Sequence, residues 1–256
     1  MDYRQGLYPI IKKINIAKNC YDFTVKCPEI TQITQAGQFA HVKAGDFTLR
    51  RPISICEVDK ENGTIRLVFE VRGEGTAKIA ELNESSMIDI IAPLGKGFTL
   101  LDKSKKAIVV GGGIGVPPMV EVAKHYGENA TAIIGFRSAN AVILKDDFDK
   151  LGAAVMLCTD DGTMGMKGYV STALEERLNN GNADIIYACG PHMMLKAVIE
   201  LADKFHVTCE VSLEERMGCG VGACLVCACK TVKNGKEYFA HVCKDGPVFS
   251  SKEVVL

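Results

Sequence analysis

Ala107-Ile108-Val109-Val110-Gly111-Gly112-Gly113-Ile114-Gly115-Val116-Pro117-Pro118 is the stretch from which the fold is read. Its four apolar residues form a short buried-strand run, and an amphipathic helical pattern extends from the prolines to about Tyr126. Strand, glycine turn and helix together make the phosphate-binding geometry of doubly wound sheets. The turn departs from G-x-G-x-x-G, because Val116 stands where the third glycine would be. Proline is tolerated in the first helical turn, where its missing N–H has no partner to lose.

The same alternation continues downstream. Strands are expected at Thr131–Phe136, Ala154–Thr159, Asp184–Ala188 and Val207–Val211. Helices are expected at Leu144–Leu151, Val170–Leu178 and Met193–Lys204. That order predicts a parallel sheet with right-handed crossovers. Ligands of such sheets lie at the carboxyl ends of the strands. Three loops fall there: the glycine turn, Gly135-Phe136-Arg137-Ser138 and Cys189-Gly190-Pro191. Cys-Gly-Pro reads either as a ligand loop or as a strand-ending turn with an incidental thiol. Asp160-Asp161-Gly162 either bonds a ribose hydroxyl or caps a turn. Arg137 and Ser138 would allow a 2′-phosphate.

Upstream, residues 1–100 read as β. Runs at Tyr8–Ile16, Phe23–Lys26, Gln38–Lys43, Phe47–Val58 and Thr64–Val71 are rich in β-branched and aromatic residues. Asn62-Gly63 marks a hairpin, and the whole suggests a small antiparallel barrel with one weak helix. Two pieces carry chemistry. In Arg50-Arg51-Pro52-Ile53-Ser54 an arginine held by proline on a strand suits a bidentate phosphate contact. In Gly73-Glu74-Gly75-Thr76 glycines lead into a helix start with free N–H groups. Each alone has an ordinary reading, as a strand edge or a helix cap.

Beyond the sheet, Cys219, Cys224 and Cys227 give C-x4-C-x2-C, with Cys243 further on. This is the plant-type spacing for a [2Fe–2S] cluster. Gly220 and Gly222 allow the positive φ angles of a tight ligand loop. The competing reading, a four-cysteine zinc site, normally uses two separated pairs. Cys229 is a fifth thiol two residues past Cys227, a possible substitute ligand. Cys20, Cys27, Cys56, Cys158 and Cys209 sit singly in apolar patterns and read as core residues.

At 256 residues, with 47% hydrophobic and 24% charged residues, the chain suits two globular domains and an appendage. A net charge of −1 gives no reason to expect nucleic acid or an anionic membrane as partner. Eleven cysteines, four of them at metal spacing, behind a polar start argue for a reducing cytoplasm rather than a disulfide framework. No window reaches the ~18 apolar residues of a membrane span. The expected divisions are a β-barrel over 1–100, a nucleotide domain over 101–210 and a cluster lobe over 211–256.

The ordered motifs up to Cys189-Gly190-Pro191 resemble the ferredoxin–NADP reductase superfamily. Two further segments run from Glu214 to Cys224 and from Cys243 through Lys244-Asp245-Gly246-Pro247-Val248-Phe249. With them the chain resembles, end to end, electron-transfer subunits of type B (NAD-dependent) dihydroorotate dehydrogenase. The resemblance implies FAD on Arg51, Pro52, Ile53 and Ser54, on Val68, Phe69 and Glu70, and on Gly75 and Thr76. It implies NAD on Gly112, Gly113, Ile114, Gly115, Cys189, Gly190 and Pro191. It also implies a [2Fe–2S] cluster on Cys219, Cys224, Cys227 and Cys243. Superfamily members often carry tyrosine at Ile53 and arginine at Glu70. Glu70 is therefore expected to act through its backbone or to point away, with Arg72 supplying the missing charge. The implied partner is an FMN-containing catalytic subunit, in a heterotetramer of two plus two, in pyrimidine biosynthesis. Rival readings are a small subunit of a ferredoxin-dependent transhydrogenase or hydrogenase diaphorase, and, from another class, a non-enzymatic redox or zinc sensor.

Overall fold

The computed structural model describes residues 2–233 and 235–256. The chain opens with β1 (Arg4–Ala17), β2 (Cys20–Lys26), the single turn α1 (Pro28–Thr31), β3 (Phe39–Val42), β4 (Arg51–Asp59), β5 (Thr64–Glu70), α2 (Glu74–Ala80) and β6 (Met87–Leu94). The six strands close into an antiparallel barrel in the order β1-β2-β5-β4-β3-β6. Closure leaves no unpaired edge. Alternate residues fill its interior, among them Ile10, Phe23, Val25, Ile55, Ile65, Leu67, Ile88 and Ile90. Arg66 ties three strands together from β5: its guanidinium donates to Asp22 on β2 at 2.6 Å and to Glu57 on β4 at 2.9 Å.

Two barrel expectations change. The run expected to begin at Phe47 becomes strand only at Arg51, because the chain turns at Gly45 with φ +52°. The strand at Met87–Leu94 is an addition; it pairs with both β1 and β3 and closes the barrel.

The second group of elements is β7 (Ala107–Gly112), α3 (Pro117–Tyr126), β8 (Ala130–Phe136), α4 (Lys145–Lys150), β9 (Ala154–Thr159), β10 (Met166–Lys167), α5 (Val170–Asn179), β11 (Ile185–Cys189), α6 (His192–Lys204) and β12 (Thr208–Ser212). The tail adds β13 (Ala228–Lys233), β14 (Lys236–His241) and β15 (Val248–Ser250). The large sheet runs β10-β9-β8-β7-β11-β12-β15 and is parallel except for β15, which pairs antiparallel to β12. β13 and β14 form their own two-stranded sheet. Apolar faces of α5 and α6, including Ala173, Leu174, Leu195 and Val198, pack on Ile108, Val110, Ile133 and Ile186.

The described chain separates into two compact units. One holds residues 1–97 with 214–230 and 239–247; the other holds 98–213 with 231–238 and 248–256. The two stretches carrying the four motif cysteines, 214–230 and 239–247, therefore group with the barrel.

Candidate functional site

In the barrel unit, Arg51 leads β4 and its guanidinium lies directly over the start of α2. A Cβ added to Gly75 would fall 2.2 Å from Arg51 Nε, so only glycine lets the two approach. Arg51 donates to the Leu49 carbonyl at 2.5 Å and stacks over the Phe47 ring at 5.3 Å. No carboxylate engages it among the described residues, which leaves its charge available to an anion. Its neighbour Arg50 is committed instead, donating to the Asp89 carboxylate at 2.8 Å.

Arg50, Arg51 and Pro52 line a cleft of about 720 Å³ with Leu49, Glu214, Glu215, Arg216 and Met217. The volume lies in the range of cofactor sites. Residues 214–217 were part of the resemblance but were not anticipated as lining. Nothing in their local pattern signals it, since they reach the cleft through the tertiary fold.

Several expected contacts narrow. Ile53 points into the barrel core, as does Phe69, which meets Phe23 edge to face. Val68 is also buried. Ile53 therefore cannot pack on a flavin with its side chain, and these three residues offer a ligand only backbone groups. Glu70 is partly exposed and accepts from Arg72 Nε at 2.8 Å, so Arg72 neutralises Glu70 rather than supplying a free charge. The Thr76 hydroxyl is taken up by its own turn, accepting from the N–H groups of Arg72 and Gly73 at 3.0 and 3.2 Å. Ser54 is partly exposed, on the face of β4 opposite Ile53.

The cluster loop follows. Gly220 and Gly222 have φ of +75° and +81°, the left-handed geometry expected of them. The sulfurs form two pairs, Cys219 against Cys224 and Cys227 against Cys243. Main-chain N–H groups surround them. Val221 and Ala223 donate to Cys219 Sγ at 3.4 and 3.2 Å, and Gly222 donates to Cys243 Sγ at 3.1 Å. Cys219 N–H reaches Cys224 Sγ at 3.3 Å, and Cys243 N–H reaches Cys227 Sγ at 3.5 Å.

Burial works against ionisation of Cys219, yet the Val221 and Ala223 amides hold its thiol down to about 6. Burial and the adjacent Cys227 push Cys243 up to about 12. Among the described residues no group of three or more His, Cys, Asp or Glu side chains gathers as a single-ion site. Two sulfur pairs suit a two-iron cluster, whereas one tetrahedral zinc needs four ligands about one centre. Cys229 is buried with its thiol pushed up to about 11, first by burial, and makes none of these N–H contacts. Cys20, Cys27, Cys56, Cys158 and Cys209 are all buried, as core residues should be.

One residue beside the loop escaped sequence reasoning. His41 on β3 is 1% exposed, and Gly220 packs against its ring. Burial and then Arg50 lower its pKa to about 4, so the ring is uncharged. The backbones of Arg50 and Cys219 approach the ring and partly offset that lowering, but among the described residues neither nitrogen has a contact that reaches hydrogen-bond geometry.

In the other unit, β7 and β11 are adjacent parallel strands with Gly111 opposite Cys189. Their carboxyl-end loops touch. A Cβ on Gly115 would lie 2.3 Å from the Cys189 carbonyl oxygen, and one on Gly112 would lie 3.0 Å from Pro191 Cδ. Gly113 has φ +55° and nothing within 4 Å of where a Cβ would be, so the turn opens outward there, next to Ile114. The glycine turn and Cys189-Gly190-Pro191 thus form one surface at the strand ends. Arg137 is exposed at the end of β8. Asp161 takes the capping role: its carboxylate accepts from the Thr163 N–H at 2.9 Å and the Thr163 hydroxyl at 2.6 Å.

Comparisons with known proteins agree with this layout. Residues 214–255 match the family described as the iron-sulfur cluster binding domain of dihydroorotate dehydrogenase B. Residues 109–200 match the oxidoreductase NAD-binding domain. The dihydroorotate dehydrogenase B (NAD(+)) electron transfer subunit of Geobacillus thermodenitrificans is 39% identical over 255 residues, covering 96% of this chain and 97% of that one. Its counterpart in Streptococcus mutans is 39% identical, covering 96% of each.

Among solved structures, the NADH-dependent reduced ferredoxin-NADP oxidoreductase aligns with a TM-score of 0.84 at 30% identity, over 98% of this chain and 90% of that chain. Ferredoxin-NADP+ reductase from Plasmodium falciparum shares the fold alone, with a TM-score of 0.64 at 15% identity over 81% of this chain and 96% of that one. Barrel, parallel nucleotide sheet and cysteine tail together, matched along nearly the whole length of its relatives, place this chain in the family of dihydroorotate dehydrogenase B electron transfer subunits.

Proposed function

We propose that this chain is an oxidoreductase subunit that accepts electrons from dihydroorotate oxidation and delivers them to NAD+. The oxidation itself takes place on a separate FMN-bearing catalytic subunit. The chain would hold the FAD and [2Fe–2S] cluster that supply this relay, serving pyrimidine biosynthesis. The observation that carries this reading is that the cleft lined by Arg51, with Gly75 against its guanidinium, and the two sulfur pairs belong to one compact unit. A flavin is the group that exchanges single electrons with a cluster and a hydride with nicotinamide.

The chain's own residues do the holding. Arg51 would bind the flavin's pyrophosphate, with Gly75 leaving room for its guanidinium and Thr76 fixing the turn. Pro52 and Ser54 would line the outer face of β4, while Ile53, Val68, Phe69 and Glu70 offer main-chain groups. Cys219 with Cys224 would hold one iron, and Cys227 with Cys243 the other. Gly112, Gly113, Ile114 and Gly115 would receive NAD together with Cys189, Gly190 and Pro191.

No helix of the described residues is long and apolar enough to cross a membrane. A cytoplasmic location and a two-plus-two heterotetramer complete the proposal. The same groups would serve the small subunit of a transhydrogenase, a second reading favoured by the likeness to the ferredoxin-NADP oxidoreductase at 30% identity. The two readings separate on partner and substrate. The isolated chain, loaded with FAD and iron, should pass electrons between NADH and artificial acceptors but leave dihydroorotate untouched. Adding an FMN-binding barrel subunit should restore dihydroorotate turnover. Turnover by the isolated chain would sink the two-subunit reading, and co-purification with a multi-cluster flavoprotein would favour the second.

A further inference from the structure

His41 lies on β3 between Ala40 and Val42, both of which belong to the barrel core. Strand alternation therefore turns its ring to the outside of the barrel, where a histidine would ordinarily be hydrated. Here the cluster loop covers it: a Cβ on Gly220 would sit 2.5 Å from His41 Nδ1. In the strand pairing His41 is opposite Pro52, and Phe39 is opposite Ser54, so the ring also neighbours the outer face of β4. Both ring nitrogens are buried; the ring approaches the backbones of Arg50 and Cys219, but among the described residues no contact of either nitrogen reaches hydrogen-bond geometry. An uncharged imidazole has one donor and one acceptor to satisfy. A leucine or methionine would fill this space without leaving either unpaired. A buried polar group left unpaired in a native fold calls for a partner that arrives with a bound group.

We propose that His41 is a positioning residue for the iron–sulfur centre, seating the loop at Gly220 and giving its N–H to the bound cluster. This rests on the reading that Cys219, Cys224, Cys227 and Cys243 hold a two-iron cluster. Hydrogen bonds to cluster sulfurs set reduction potential, and partners just outside the ligand shell govern metal retention by roughly 10–100-fold.

The test uses the full chain carrying FAD and iron, with His41→Phe, which removes the donor, and His41→Gln, which keeps one. Iron and sulfide per chain are measured first. The reduced cluster's paramagnetic spectrum and the separate midpoint potentials of cluster and flavin follow. His41→Phe should lower the cluster potential, alter its spectrum and release iron roughly 10-fold more readily. FAD content and the flavin potential should stay the same, and His41→Gln should return the cluster values toward the wild type. Should His41→Phe not fold, His41→Met, similar in bulk and without a donor, takes its place.

A folded donor-less variant with the wild-type cluster potential and iron retention would overturn the proposal. So would a change confined to the flavin, or one that His41→Gln does not reverse. Wild-type protein that takes up no two-iron cluster would instead bring down the cysteine reading itself.

Discussion

At the proposed flavin site, recognition would depend on one side chain, Arg51, aimed by a barrel strand across a glycine of the next helix. At the cluster site, side chains supply only sulfur, and the surrounding donors are main-chain N–H groups of a left-handed loop. The first arrangement resides in residue identity and the second in backbone path. Substitution should therefore damage them differently: gradually for the cleft, and all at once for the loop.

The largest expected effect follows from the paired sulfurs. Replacing Cys227 or Cys243, both essentially buried, with serine should abolish the cluster while FAD stays bound. Iron and sulfide assays beside the flavin spectrum check this, and Cys229→Ser should keep the cluster. The cleft is expected to fail by degrees. Arg51→Lys keeps the charge but loses the planar fork, and FAD affinity should fall by about 1.5–3 kcal/mol, measured by titration of the apoprotein.

Gly75→Ala sharpens the contrast. Its new methyl meets the end of a flexible side chain, so the fold should hold while the displaced Arg51 weakens FAD binding, roughly tenfold. Gly115→Ala meets backbone instead, at 2.3 Å. That should cost about 1–3 kcal/mol of stability by thermal unfolding, together with NAD binding. Smallest of all, Glu70→Gln breaks an exposed ion pair with Arg72 and should change stability by under about 1 kcal/mol. An FAD affinity that rises in that variant would show Arg72 freed to reach the ligand.

The same contrast explains what could be read from sequence. The nucleotide sheet was legible because each strand and helix has its own period, and the ends at Ala154–Thr159 match to the residue. The cysteine spacing was legible because three ligands lie within nine residues. Their pairing was not, since it depends on how the loop brings Cys243 back against Cys227. The strand Met87–Leu94 carried its signal in the alternation of Ile88, Ile90 and Ala92. Phe47 misled because an aromatic beside an apolar run looks like strand, whereas Gly45 turns the chain there. His41 had no signal: one histidine within Phe39-Ala40-His41-Val42 says nothing of a loop some 180 residues away.

The short strand β15 has a consequence for how this chain can be taken apart. Its pairing of Val248, Phe249 and Ser250 with Ser212, Val211 and Glu210 covers the last parallel strand of the nucleotide sheet. Ser251 N–H adds a bond to the Cys209 carbonyl at 2.9 Å. Truncation after residue 213 would bare the row of N–H and C=O groups on β12, an edge prone to pairing with other chains. The iron-binding tail is thus not a detachable cassette. A hybrid that exchanges it would have to carry a compatible closing strand, or the nucleotide sheet would be left open at that side.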